Sequence, residues 1–223
     1  LEKNQVLELL KIAFNQGIRF LDTAELYGDA HEIIGDFHKK NKKSRFKIIT
    51  KFPHKIKNDS IKSKVFDYID ILNVTTLDVL MFHSFDSFRS NYKSLEVLKE
   101  LKRNGFIGHI GVSVYTNTQL ESLLNEDLIT VVQLPFNLLD NFNVRGELLD
   151  KLKKKGKIIH TRSVFLQGLF FKNINDKTAI VQKLKTELEL LKQLTIELNC
   201  SMEELALSYS LSQQNIDNII IGV

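Results

Sequence analysis

The chain has 223 residues, 43 % of them hydrophobic, with two Pro, no Trp and no low-complexity tract, enough for one large core and a single domain over residues 1–223. No apolar run approaches the roughly twenty residues that span a bilayer, and the opening Leu1-Glu2-Lys3-Asn4 lacks the basic and apolar regions of a signal peptide, so no membrane partner is expected. The net charge is +4, yet its two lysine clusters, Lys39-Lys40-Asn41-Lys42-Lys43 and Lys151–Lys157, fall at expected helix C-termini without interleaved aromatics, which argues against a nucleic-acid partner.

In chain order, Val6, Leu9, Leu10, Ala13 and Phe14 recur at helical spacing and Gly17 closes that helix. Short apolar runs then read as strands at Ile18–Leu21, Phe46–Thr50, Leu77–Phe82, Ile107–Val112, Thr130–Leu134, Lys157–Thr161 and Ile219–Ile221. Helical periodicity fills the gaps over about 31–43, 59–73, 91–104, 117–125, 144–155, 179–199 and 202–213. Gly105 and Gly156 close two of these helices, and Ser201-Met202-Glu203-Glu204 is a capping box that opens the last. Cys200 is the one cysteine, so there is no internal disulfide framework; that usage fits a reducing compartment and predicts a cytoplasmic protein.

Regular βα alternation over one domain means a parallel sheet, open or closed into a barrel. Six strands end in a polar residue: Asp22, Lys51, His83, Ser113, Gln133 and Arg162. In a (β/α)8 barrel the C-terminal strand ends converge on one face, so residues some thirty positions apart become neighbours; a doubly wound sheet would bring only its switch-point strands to a ligand. The six polar ends favour the barrel. Neither Gly-x-Gly-x-x-Gly nor Gly-x4-Gly-Lys-Ser/Thr occurs after a strand. Taken singly, each polar end also has a structural reading: Asp22 a turn or cap, Tyr27 a packing residue, Lys51 a solvated strand end, His83 a satisfied core histidine. His31, His38, His54, His109 and His160 form no His-x-His or His-Glu-x-x-His cluster, so no metal is expected, and no Gly-x-Ser-x-Gly elbow suggests a hydrolase.

The blocks Gly17–Ala24 with Tyr27-Gly28, Thr50-Lys51-Phe52, Asp78–His83, Gly108–Ser113, Gln133–Asn137 and Arg162–Gly168 resemble, in order and spacing, the successive motifs of the aldo-keto reductases. The resemblance runs from the first helix to the last residue. It implies a (β/α)8 TIM barrel and reversible, NADP(H)-dependent reduction of an aldehyde or ketone to an alcohol, with NAD(H) the open alternative and a small carbonyl compound as substrate. Its catalytic tetrad maps onto Asp22, Tyr27, Lys51 and His83. In that assignment Tyr27 is the general acid for the growing alkoxide. A free phenol has a pKa near 10; a neighbouring ammonium, Lys51, lowers it, and Asp22 keeps Lys51 charged and oriented. His83 aims the carbonyl.

The resemblance also implies cofactor contacts by Ser113 and Gln133 with the nicotinamide carboxamide, and by Arg162, Ser163, Phe165 and Gln167 along the nicotinamide face and pyrophosphate. Two departures stand out. Val114 occupies the place where the family often has Asn, and Arg162 the place where many relatives stack an aromatic ring; a guanidinium can stack on a ring or pair with a carboxylate or phosphate. Phe52, Pro53, His54, Phe85 and Phe136 are candidates to line the substrate pocket. The chain opens without Met inside its first helix, shows seven strands rather than eight and stops at Ile221-Gly222-Val223, so a fragment is expected that lacks the family's first strand and the segment after its last. A non-catalytic or regulatory cofactor-binding protein on the same scaffold is the alternative, and an unrelated isomerase or lyase barrel a third; substrate identity and oligomeric state leave no trace in the sequence.

Overall fold

Parallel strands buried on both faces need continuous apolar runs, and Leu77–Phe82 shows the outcome: in the computed structural model it is strand β3 over those same residues, with Leu80, Met81 and Phe82 wholly buried. The structure describes residues 2–222, so Leu1 and Val223, named in the sequence expectations, lie outside it. The described residues fall into two compact units, one running to Ser113 and adding Glu126–Val131, the other made of Val114–Asn125 and the chain from Val132 onward.

In the first unit the elements are α1 (Lys3–Asn15), β1 (Phe20–Asp22), α2 (Ala30–Lys40), β2 (Lys47–Phe52), α3 (Ile61–Ile71), β3, α4 (Phe85–Ser90), α5 (Leu95–Arg103) and β4 (Ile107–Ser113). The strands pair in chain order, each parallel to the next, with Asp22 beside Ile49, Lys51 beside Met81 and Phe82 beside Val112. Their core holds Ile48, Ile49, Phe52, Leu77, Phe82, Ile110 and Val112. Gly35 lets α2 approach the end of α3, since a Cβ there would lie 1.9 Å from the Ile71 carbonyl oxygen.

In the second unit come α6 (Asn117–Ser122), β5 (Val131–Pro135, all but its first residue), α7 (Phe142–Lys154), β6 (Ile158–Arg162), α8 (Ala179–Lys183), α9 (Lys185–Glu197), α10 (Met202–Leu211) and β7 (Asn218–Ile219). Strand order is β5-β6-β7, with β6 and β7 parallel through His160 beside Asn218. Val164, Leu169, Phe170, Val181, Leu188 and Ala206 form a core of their own.

Gly105 and Gly156 close their helices with positive φ, and the Ser201 capping box is present. Several elements differ from expectation. The first strand starts at Phe20 rather than Ile18, because the Ile18 N–H is used to close α1 on Ala13. The helix expected over 91–104 opens as a tight 3-10 turn at Tyr92–Ser94 before α5. The helix expected over 179–199 breaks at Leu184, whose φ of −106° and ψ of 19° leave the helical region. The six-residue α4, capped by the Ser84 side chain on the Ser87 N–H, has no counterpart among the expected helices. No described helix is long and apolar enough to cross a membrane.

Candidate active site

Asp22 ends β1, Lys51 is the penultimate residue of β2 and His83 follows β3, so three neighbouring parallel strands deliver an acid, a cation and an imidazole to one end of the first unit. Lys51 is 1 % exposed. A buried ammonium is costly without a partner, and here its Nζ donates to Asp22 Oδ2 at 2.5 Å and to the Thr23 carbonyl oxygen at 3.2 Å. The segment between β1 and α2 then folds back. Thr23 N–H donates to the Ile49 carbonyl, Glu25 N–H to that of Lys51 and Tyr27 N–H to that of Ala24. This turn sets the Tyr27 ring 5.4 Å from Lys51 Nζ, within the range of cation–π attraction. The Tyr27 ring also meets His83 edge to face at 5.8 Å. Tyr27 is 47 % exposed, so its phenol stands where the buried charge pair borders solvent. The four residues of the tetrad are thus brought together within one unit.

Two sets of supporting contacts accompany them, of which the sequence singles out only His54, as a pocket-lining candidate. His54 stacks on His83 with ring centroids 4.6 Å apart. Behind the Tyr27 turn, the Glu25 carboxylate accepts from Lys64 Nζ at 2.6 Å and from the Tyr68 hydroxyl. Burial raises the Glu25 pKa, but the hydrogen bonds from Lys64 and Tyr68 outweigh it and hold the carboxyl below its ordinary range. Burial and the Glu25 carboxylate drive the Tyr68 phenol far upward. The i, i+4 spacing of Lys64 and Tyr68 is the one available signal, and by itself it reads as an ordinary helix face.

Of the residues assigned to the cofactor, Ser113 ends β4 in the first unit and the others lie in the second. Gln133 sits within β5, and its carbonyl accepts the Val114 N–H at 2.8 Å; Val114 itself is fully buried. Arg162 ends β6, and its guanidinium lies 4.4 Å from the Tyr115 ring centroid. The ring it meets here is that of Tyr115, and no carboxylate among the described residues lies within ion-pair distance of it. Tyr115 is held in turn by the buried Arg145, which is bidentate to Asp140, donates through Nη1 to Asn117 Oδ1 and through Nη2 to the Tyr115 carbonyl. After β6 the backbone enters the left-handed region at Ser163 (φ 62°), Leu166 (47°) and Gln167 (55°), each an unfavourable conformation for a side-chain-bearing residue. Phe165 packs on Phe171. Of the pocket-lining candidates, Phe52 and Phe136 are fully buried, Phe136 stacking on Tyr209, so both belong to the core.

Alternating strands and helices with polar strand ends on parallel neighbours define the α/β barrel class. The family model of the Aldo/keto reductase family matches residues 1–223, and the chain belongs to that family. It is 25 % identical over 99 % of its length to the uncharacterized oxidoreductase YqkF of Bacillus subtilis (strain 168), covering 78 % of that protein. Over 55 % of its length it is 28 % identical to a 6-dehydroglucose reductase of Novosphingobium aromaticivorans, covering 47 % of it. The holo form of the aldo-keto reductase AKR11C1 from Bacillus halodurans superposes with a TM-score of 0.82 at 19 % identity, over 98 % of this chain and 76 % of that one. That likeness shows an α/β fold of the (β/α)8 kind, with seven parallel strands among the described residues. The family makes the chain an oxidoreductase of the carbonyl-reducing class, working on small molecules with a nicotinamide cofactor.

The cofactor-side residues fit such a group. Arg162 Nη2 is buried with no hydrogen-bond partner among the described residues. A buried donor left so costs about 1–3 kcal/mol, and a phosphate or carboxamide oxygen would satisfy it.

Proposed function

We propose that the chain carries the catalytic site of an NADP(H)-dependent reductase that converts an aldehyde or ketone to an alcohol, with Tyr27 as general acid. The observation that carries this reading is the buried Lys51–Asp22 pair set under the half-exposed Tyr27, whose ring also meets His83. A nicotinamide cofactor held there would supply hydride for the carbonyl carbon. Tyr27 Oη gives its proton to the carbonyl oxygen as charge develops there, and the resulting phenolate takes a proton back from solvent. Lys51 stabilises that phenolate electrostatically, Asp22 keeps the ammonium charged out of water, and His83 orients the substrate oxygen. Ser113, Gln133, Arg162, Ser163, Phe165 and Gln167 hold the cofactor, and the +4 net charge helps attract a phosphate-bearing molecule. The free Cys200 fits a reducing compartment, the cytoplasm.

The test is NADPH oxidation by the full-length protein against an aldehyde and ketone panel. Tyr27→Phe is expected to lower kcat by about 100-fold or more, the range for a positioned acid starting near that value, while NADPH fluorescence titration shows unchanged affinity. Equal turnover by wild type and variant across the panel refutes the assignment.

A further inference from the structure

Tyr27 does its proposed chemistry from a turn, and a turn must be held. Displacing a reacting group by about 1 Å can cost on the order of 100-fold in rate. The turn is bound on its inner side to β2 through the Thr23 and Glu25 N–H groups. Its outer side meets α3, where Lys64 and Tyr68 stand one helical turn apart and both donate to the Glu25 carboxylate, two residues before Tyr27. Tyr68 is 2 % exposed and wedged by the rings of His31, at 5.1 Å, and Phe52, at 6.0 Å. His31 in turn meets the Thr50 hydroxyl through Nε2 at 2.8 Å, and Thr50 precedes Lys51. One face of α3 therefore grips the turn that carries the acid, and through His31 touches the strand that carries its cation.

We propose that Glu25, clamped by Lys64 and Tyr68, is a positioning residue that fixes the Tyr27 turn over Lys51; the inference rests on Tyr27 being the general acid. The carboxylate does not serve as a second acid. Held below the ordinary carboxyl range and facing a phenol that stays protonated, it is a permanent acceptor, and the clamp keeps one donor pattern at any working pH. Glu25 touches neither reacting atom and acts through the backbone of Ala24–Tyr27.

The experiment compares Glu25→Gln, Lys64→Met and Tyr68→Phe with wild type, each alone and combined with Tyr27→Phe, by steady-state NADPH oxidation and thermal unfolding of the full-length protein. Tyr68→Phe removes one oxygen atom and keeps the buried ring, and Lys64→Arg restores a cation, so at least these two keep the fold. Tyr68→Phe and Lys64→Met are each expected to lower kcat about tenfold, with the KM for NADPH and aldehyde within about twofold, and Lys64→Arg to recover most of the loss. In the Tyr27→Phe background the same changes are expected to add nothing, because the clamp acts only through Tyr27. Wild-type kcat in Tyr68→Phe and Lys64→Met, while Tyr27→Phe alone lowers turnover about 100-fold or more, overturns the clamp and leaves the acid standing. Losses that add in full to that of Tyr27→Phe assign Glu25 a general structural role and overturn it equally. An inert Tyr27→Phe removes the acid and the clamp together.

Discussion

The turn at residues 23–30 and the segment at residues 163–168 both follow a strand end, and they are organised by opposite means. In the first, the charged side chains beneath and behind Tyr27 are paired, Lys51 with Asp22 and Glu25 with Lys64 and Tyr68, and His31 meets Thr50. In the second, the backbone itself is distorted at Ser163, Leu166 and Gln167, and the guanidinium that introduces it keeps a buried N–H unspent. A site that moves a proton must be rigid before substrate arrives, because its charges have to be in place when the alkoxide forms. A site that takes up and releases a large anion gains from holding donors and strain in reserve, since binding then satisfies what folding left unsatisfied.

The largest effect that would break this contrast is expected at Lys51. Lys51→Met removes the buried cation and strands the Asp22 carboxylate, a loss of about 3–5 kcal/mol for a broken buried pair. It also takes from Tyr27 the charge that stabilises its phenolate. Turnover should vanish and the unfolding midpoint should drop. In the double variant Lys51→Met/Asp22→Leu, stability should return while turnover does not. A double variant that regains activity would show that the pair is a structural element and that the turn is not organised for proton transfer.

That pair is legible in the sequence because strand ends in a parallel array declare themselves: a polar residue closing an apolar run has few reasons to be there, and Asp22, Lys51 and His83 close three adjacent runs. What supports them is less legible, although His54 is among the residues expected to line the pocket. Lys64 and Tyr68 lie about forty residues from Glu25, on a helix whose charged residues look like a solvated face until the chain folds them onto the Tyr27 turn. His54 falls in a loop without periodicity, and its stack on His83 depends on loop geometry alone. The same limit explains the fold. β3 can be read to the residue because both of its faces are buried, whereas Ile18, apolar and close to β1, is spent on closing α1. Six residues are too few for α4 to show a helical period. The left-handed run after β6 cannot be anticipated, since Ser163, Leu166 and Gln167 are not residues that favour that region.

On the other side of the contrast, Arg162→Leu tests the reserve. The change removes a buried donor without a partner, so the unfolding midpoint should hold or rise slightly, while NADPH affinity should fall about tenfold, the value of one lost charge-assisted bond. Titration by NADPH fluorescence and thermal unfolding read the two quantities separately. A fall in both would mean that Arg162 is fully used in the folded protein through its stack on Tyr115, and the second segment would then hold no more in reserve than the first.

The smallest effect concerns acid. His31, His38 and His109, all in the first unit, have pKa values lowered chiefly by burial. His38 shows why protonation is resisted: it is fully buried, with Nδ1 placed to donate to the Leu72 carbonyl at 2.8 Å and Nε2 to accept the Phe46 N–H at 3.1 Å, so a second ring proton would face an N–H. A histidine whose folded pKa lies below its unfolded value near 6.5 binds a proton in the unfolded chain first. Its stabilising contribution is complete above about pH 6.5 and is lost as pH falls from there through the lowered folded value. Hydrogen-exchange protection factors in α2 and β2, corrected for the intrinsic exchange rate at each pH, should therefore fall as the pH is lowered from about 7 to about 5. His38→Gln, which keeps a donor and an acceptor but cannot titrate, should flatten that dependence. An unchanged slope in His38→Gln would assign the acid sensitivity to His31, whose ring meets Tyr68, and the acid-labile point of the unit would then be the clamp behind the Tyr27 turn.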